Sequence, residues 1–261
     1  MNIPTDRIAV LVNSCDAYEE TWPYMFKLLF KYMENNGDAR YSYYLNTETK
    51  TFNDLRVNEL HFNEKSWSSR LINCLKSLEE QYVVFLLDDF FITRRVDTDE
   101  FFKVIRFMDS SDIDAVYFKH ITGQMSDKLF LNRYIEMNPD VKYYMTFQAC
   151  VWKRESLIRI LVPDVSPWDI EEKNLINRDV HFRVLCDSLG SFSDCSKDVF
   201  PYFWAKETGY GIYKSKWLWN NKKLFRDNGM VFKRRKLGYL SRFEYLLKRF
   251  RERVTEKVKR R

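Results

Sequence analysis

Tyr82-Val83-Val84-Phe85-Leu86-Leu87-Asp88-Asp89 decides the fold. Six apolar residues follow one another without a polar break. The run is too short for a buried helix, and unbroken apolarity marks a strand covered on both faces, as at the centre of a parallel sheet. It then stops at two carboxylates. In open α/β sheets, ligands bind beyond the carboxyl ends of the strands. Adjacent acids in that position repel one another unless a cation or hydrogen-bond donors are close. Oxygen ligands of this kind suit Mg²⁺ or Mn²⁺ holding a diphosphate. The plain alternative is a solvated loop that opens in Asp.

The chain on either side fits an alternation of strands and helices. Arg7 to Val12 (RIAVLV) reads as a buried strand and runs into the polar turn Asn13-Ser14-Cys15-Asp16. Thr21 then caps a helix with Pro23 in its first turn, Trp22, Phe26, Leu29 and Met33 at helical spacing, and Gly37 as its stop. Ser42 to Leu45 reads as a second strand, and Trp67, Leu71, Cys74, Leu75 and Leu78 form one face of a second helix. Past the acids, a helix is expected from Thr98 to Met108 and a strand from Ala115 to Lys119. Thr122 to Lys142 is polar and mixed. A strand within Tyr143 to Trp152, a short helix at Arg154 to Leu161 and a helix over Asn177 to Leu189 complete the reading. The class is α/β, with a mostly parallel central sheet flanked by helices. One domain over residues 1–230 and a tail over 231–261 are expected.

A chain of 261 residues, 45% of them hydrophobic, can bury one full core. Its 21 Phe, 16 Tyr and 7 Trp against 7 Gly and 6 Pro exclude collagen-like and disordered classes. The five cysteines are odd in number and none has CxxC spacing, so neither a disulfide framework nor a zinc site is implied, and reduced thiols point to the cytoplasm. Met1 to Arg7 carries no signal-peptide core, and no apolar run reaches the ~18 residues of a membrane span. The net charge of +6 is unevenly spread: Lys233 to Arg261 holds 13 Lys/Arg and 3 Glu, which leaves the body at −4. From Lys236 the tail reads as an amphipathic helix, with Leu240, Phe243, Leu247, Phe250, Val254 and Val258 on one face and Lys/Arg on the other. Such a helix either lies on an anionic lipid surface or packs on the body or a partner subunit.

Other candidate residues divide between chemistry and ordinary structure. Asp97 with Glu100 has the spacing of a capping box, and Asp112 and Asp114 precede a strand at the end opposite to ligand sites. After the first strand, Asn13 to Tyr18 offers backbone amides to a nucleotide, with Asp16 for a base or ribose and Tyr18 for stacking. Neither GxGxxG nor GxxxxGK[ST] occurs, which disfavours a dinucleotide fold and a P-loop kinase. Pro167-Trp168-Asp169-Ile170-Glu171-Glu172 gathers three acids around a Trp. That cluster suits a general base beside a sugar platform, and it equally suits a helix start with acids at the positive dipole end.

Five stretches together resemble GT-A glycosyltransferases, in particular small transferases of bacterial surface-polysaccharide pathways: IAVLVNSCDAY (8–18), YVVFLLDDFF (82–91), FQACVWKRESL (147–157), SPWDIEE (166–172) and GIYKSKW (211–217). The resemblance implies a GT-A, Rossmann-like fold with a nucleotide half over about 1–120 and an acceptor half over about 121–230. It implies Mn²⁺ or Mg²⁺ on Asp88 and Asp89, and a UDP- or GDP-sugar contacted by Asn13, Ser14, Asp16, Tyr18, Arg70, Asp88, Lys214, Lys216 and Trp217. Asp169 or Glu171 would be the base of an inverting transfer to a saccharide acceptor. A lipid-diphosphate-linked acceptor would match a tail at 236–261 that reaches the inner face of the cell membrane. Two departures stand out: the acid motif is Asp-Asp-Phe rather than Asp-x-Asp, and Ser215 takes the place of a Gly common before Lys-Trp. The rival readings are a sugar nucleotidyltransferase, which lacks here its Gly-rich basic loop after strand one, and a non-catalytic membrane or nucleic-acid binder. An acidic body with an acid pair at its presumed site disfavours nucleic acid.

Overall fold

The computed structural model describes residues 8–33, 41–120, 124–190, 195–202, 211–233 and 236–259. The first half runs β1 (Ile8–Asn13), α1 (Trp22–Met33), β2 (Ser42–Thr47), β3 (Val57–His61), α2 (Trp67–Ser77), β4 (Tyr82–Leu87), α3 (Thr98–Asp109) and β5 (Ala115–Tyr117). The second continues with β6 (Gln124–Phe130), β7 (Tyr134–Met137), β8 (Cys150–Lys153), α4 (Arg154–Ile160), α5 (Pro167–Lys173) and β9 (Val184–Asp187). It closes with β10 (Ile212–Tyr213), β11 (Lys216–Leu218), α6 (Asn221–Asp227), β12 (Gly238–Leu240) and α7 (Arg242–Lys259).

A nine-stranded sheet in the order β3-β2-β1-β4-β8-β5-β9-β7-β6 forms the middle layer. β3, β2, β1 and β4 pair in parallel. β8 is inserted antiparallel between β4 and β5, and β7 is antiparallel to both β9 and β6. Only β7 and β8 run against the other strands, so the α/β architecture with a mostly parallel sheet is what the molecule adopts. β1 and β4 bury both faces. Val10, Val12, Val84 and Leu86 meet α1 and α3 on one side, and Ala9, Leu11, Val83 and Phe85 meet α2 and α4 on the other. Two-sided cover is what the unbroken apolar run demands.

The helices start where capping chemistry places them. Ser66 accepts from the Ser69 amide at the head of α2, and Asp97 accepts from the Glu100 amide at the head of α3, the bland role expected of it. Asp112 and Asp114 are also structural: the first pairs with Arg183, and the second accepts from Ser156 Oγ and the Arg183 amide.

Three expectations are corrected. Asn177 to Leu189 is not a helix but contains β9, because Val180, Phe182, Val184 and Cys186 alternate into one core while Leu185 faces the other. The polar stretch before it holds the antiparallel pair β6 and β7, turned through Leu131 and Asn132 at φ 51° and 55°. The C-terminal helix begins at Arg242 rather than Lys236, because Gly238–Leu240 pairs with Lys216–Leu218 and buries Leu240.

A second sheet, β10-β11-β12, packs with α6 against the head of α1. Trp217, fully buried, sits among Tyr24, Phe91, Phe225 and Phe232 at centroid distances of 5.3 to 5.9 Å. Among the described residues, no helix is long and apolar enough to cross a membrane.

Candidate functional site

The chain leaves β1 through α1 to reach β2 on one side, then returns through α2 to β4 on the other. The crevice between the carboxyl ends of β1 and β4 is therefore the switch point of the sheet, the usual ligand position in such folds. Asn13 lies level with Leu87 across that crevice, and Ser14 and Asp88 follow them. The Ser14 hydroxyl donates to Asp88 Oδ2 and accepts from Trp22 Nε1 at 2.7 Å. Buried Arg70 reaches in from α2, donating to the Ser14 carbonyl at 2.8 Å and pairing with Glu48. Glu48 in turn accepts from the Asp16 amide at 2.6 Å. A cation and two acids thus surround one backbone turn.

Asp88 and Asp89 occupy a turn closed by the Phe90 amide on the Leu87 carbonyl, 3.2 Å. They are only 8% and 7% exposed. Burial pushes the Asp88 carboxyl up to about 7, against the opposing pull of the Ser14 hydroxyl and Arg70. Burial and then the neighbouring Asp88 charge push Asp89 well above the carboxylate range. Asp89 turns the other way, accepting from the Ile212 amide at 3.1 Å, while its carbonyl accepts from the Gly211 amide at 3.3 Å. Glycine is required at 211 because a Cβ there would collide with Phe91 Cε2. Beyond it, Lys214 and Ser215 turn the β10–β11 hairpin at φ 47° and 58°, and Ser215 Oγ lies 3.2 Å from the Tyr18 hydroxyl. The loops after β1 and β4 and the hairpin tip therefore meet over the acid pair.

This donor set fits a divalent cation. Burial raises both carboxyls, which a bound cation would counter; Asp88 Oδ2 is engaged by Ser14 and Asp89 Oδ2 by the Ile212 amide. Among the described residues, no three His, Cys, Asp or Glu side chains cluster as a closed metal cage. Mg²⁺-type sites are commonly completed by phosphate oxygens and water rather than by further protein ligands.

The acidic stretch at 166–172 separates into two roles. Asp169 closes a capping box with Ser166 at the head of α5 and pairs with Lys173 at 2.7 Å. Hydrogen bonds from Lys173 and Ser166 hold its carboxyl down at about 2. These bonds engage the Asp169 carboxylate at the head of α5. Glu171 points inward. Its Oε1 accepts from Thr146 Oγ1 at 2.7 Å and from the Phe147 amide at 2.8 Å, and burial raises its carboxyl. Because β8 runs antiparallel to β4, with Cys150 opposite Phe85, residues 146–149 lie beside the carboxyl end of β4. Glu171 is thereby tied to the rim of the crevice.

The remaining predicted residues are placed as follows. Asn13, Ser14, Arg70, Asp88 and Asp89 come together at the switch point, with Tyr18 on its outer side. The Asp16 carboxylate is bonded to the loop after β2. Although partial burial opposes it, bonds from Thr49 and the Lys50 amide hold its carboxyl at about 2 and pin the β2 loop. Trp217 is corrected from a diphosphate contact to a core residue, its Nε1 bonded to Glu20. Lys214 pairs with Glu252 of α7 at 2.5 Å, and Lys216 is exposed. The sequence reading missed Glu48 and Asn46. Asn46 donates to Asn13 Oδ1 at 2.6 Å, and its own Oδ1 is a buried acceptor without a partner among the described residues. Both stand at the carboxyl end of β2, where the rule that found Asp88 also applies. A separate cavity of about 530 Å³ lies between the head of α1 and Gly229–Lys233 and includes neither acid.

No protein-family model matches the chain, and no curated protein matches it in sequence. Among solved structures, S. aureus TarS 1-349 is similar at 15% identity and a TM-score of 0.47, over 76% of this chain and 60% of that one. The same protein in complex with UDP-GlcNAc gives 15% and 0.47, over 76% and 58%. The 4-diphosphocytidyl-2C-methyl-D-erythritolsynthase from Anaerococcus prevotii DSM 20548 gives 11% and 0.34, over 71% and 88%. The chain spans about 60% of the length of the TarS 1-349 structure.

Proposed function

We propose that the chain is a glycosyltransferase that moves a sugar from a UDP- or GDP-sugar to a hydroxyl of a saccharide acceptor, with Mn²⁺ or Mg²⁺ at Asp88 and Asp89. The observation that carries this reading is the buried acid pair at the switch point, with Arg70 beside it and both carboxyls raised. A cation there, when bound, would offset the charge of the departing nucleoside diphosphate. Ser14 and Trp22 orient Asp88, and the Ile212 amide orients Asp89. Asn13 and Asn46 offer amide groups at the ends of β1 and β2 to the nucleoside.

Glu171 is the base in this reading. Its carboxylate takes the acceptor hydroxyl proton as that oxygen bonds to the anomeric carbon and the bond from that carbon to the diphosphate oxygen breaks. Displacement from the opposite face inverts the centre. A raised carboxyl is a stronger base at neutral pH than Asp169 held at about 2. A saccharide carried on a lipid diphosphate is the proposed acceptor class.

Calorimetric titration of UDP and GDP with and without Mn²⁺, on wild type and Asp89→Asn, tests the site. Metal-dependent binding of one nucleotide, lost in the variant, is expected. A folded wild type that binds neither nucleotide refutes the proposal.

A further inference from the structure

α7 divides into an inner and an outer face. The inner face holds the body: Tyr245 is buried against Leu218 and Leu240 and meets the Tyr213 ring edge-on at 5.1 Å. Glu252 accepts from the Tyr213 hydroxyl and pairs with Lys214, both at 2.5 Å. At 100° per residue, Phe243, Leu246, Leu247, Phe250 and Val254 fall on the opposite side of the helix from Tyr245 and Glu252. All five are open, from 40% exposed at Leu247 to 75% at Phe243. Leu240, the first residue of the expected stripe, is buried with Leu218, while these five face away from the body.

Charge indicates what it meets. Glu252 is turned inward, and Glu244 is occupied in capping α7 through Ser241. Arg242 and Arg251, both exposed, lie on the two sides of the stripe. Two phenylalanines and three aliphatic residues on one face, flanked by Arg242 and Arg251 with the exposed Glu244 beside Arg251, in a stretch 233–261 that holds 13 Lys/Arg against 3 Glu, match a surface that is apolar below and anionic above. A protein partner needs no such excess of cations, and nucleic acid has no use for an aliphatic stripe.

We propose that α7 docks flat on an anionic lipid bilayer, with Phe243, Leu247 and Phe250 immersed at the acyl boundary and Arg242 and Arg251 at the headgroups. The inner face of the same helix grips the β10–β11 hairpin, whose Ile212 amide bonds to Asp89. Docking therefore sets the acid pair close to the membrane plane, whichever transfer the site performs.

Vesicle flotation of the full chain tests this, using phosphatidylcholine alone and phosphatidylcholine with about one-third phosphatidylglycerol. Wild type should float with the anionic vesicles only, and ~1 M salt should release it. Phe243→Ser/Phe250→Ser should lower the bound-to-free ratio at least about tenfold, since burying either ring contributes more than one decade of partition. Both positions are exposed, so the variant should melt like wild type by circular dichroism. The proposal is overturned if wild type stays at the bottom of the gradient or if the folded variant floats equally well. It is also overturned if light scattering shows a dimer that the variant dissociates while neither protein floats, which would assign the stripe to a second copy of the chain.

Discussion

Replacing Asp88 by asparagine should remove a pH dependence of stability whose sign and size follow from its surroundings. Burial raises this carboxyl from 3.8 to about 7. Below pH ~4 it is protonated in both the folded and the unfolded chain, so the two states bind equally many protons. Between pH ~4 and ~7 the unfolded chain has released the proton and the folded chain keeps it. Stability therefore falls as pH rises through that window and levels off above it, by on the order of 4 kcal/mol in total. The asparagine side chain keeps the shape and an oxygen for the Ser14 hydroxyl but cannot ionise. Urea midpoints of wild type and Asp88→Asn, measured from pH ~4.5 to ~8, read the effect of the Asp88 carboxyl together with the response of Asp89, which its charge pushes up. The wild-type curve should fall relative to the variant's across the window. Added Mn²⁺ should restore wild type at the upper end and leave the variant unmoved, since the cation competes with the proton for the same oxygens. Parallel curves with no differential effect of Mn²⁺ would refute the reasoning.

Four further outcomes are expected. Glu171→Gln should cut transfer at least about 100-fold, and wild-type rate should fall on the acid side at a pH above that of an ordinary glutamate; Asp169→Asn should keep its turnover and slightly lower the melting temperature as a weakened cap, both read by steady-state kinetics and thermal melting. Arg70→Gln leaves Glu48 without its cation, and because Glu48 is one-third exposed the loss should be about 1–3 kcal/mol, with nucleotide affinity lost in the same titration. Lys119→Met takes the ammonium out of a fully buried pair with Asp198 and should cost about 3–5 kcal/mol by urea denaturation, most of it recovered in Lys119→Met/Asp198→Leu. Gly211→Ala should disorder the contact with Asp89 by driving a methyl into the Phe91 ring, read as weaker nucleotide binding and a lower melting temperature.

Legibility in the sequence followed the kind of pattern each element carries. β4 and β1 were readable because strands covered on both faces are written as unbroken apolar runs, and α2 and α3 because their caps are local. β3, β6 and β7 were missed because strands with open faces mix polar and apolar residues, and β9 because its period-two alternation is short and shared between two cores. Ending the second strand at Leu45 rather than Thr47 concealed Asn46, which lies level with Asn13 and Leu87, and Glu48 just past the strand end. Asp88, Asp89 and Ser14 were found by a general rule about strand ends. The choice between Asp169 and Glu171 could not be made locally. Two residues apart on one helix, they differ in their partners: Asp169 bonds locally to Ser166 and Lys173, whereas Glu171 meets Thr146 and Phe147, a contact set by β8 pairing back onto β4.

The insertion of β8 between β4 and β5 has a consequence for how the chain is made. On an emerging polypeptide, β4 has one hydrogen-bonding edge open until residue 153 has followed it out, an interval on the order of seconds at ordinary rates of synthesis. Tyr24 waits longer, since Phe225, which stacks on it, and Phe232, whose tilted ring lies beside it, come about 200 residues later. A nascent chain halted after the first five strands would present a sticky apolar ribbon and half an aromatic cluster to its surroundings. Emergence of the first strands and closure of the molecule are thus separated in time.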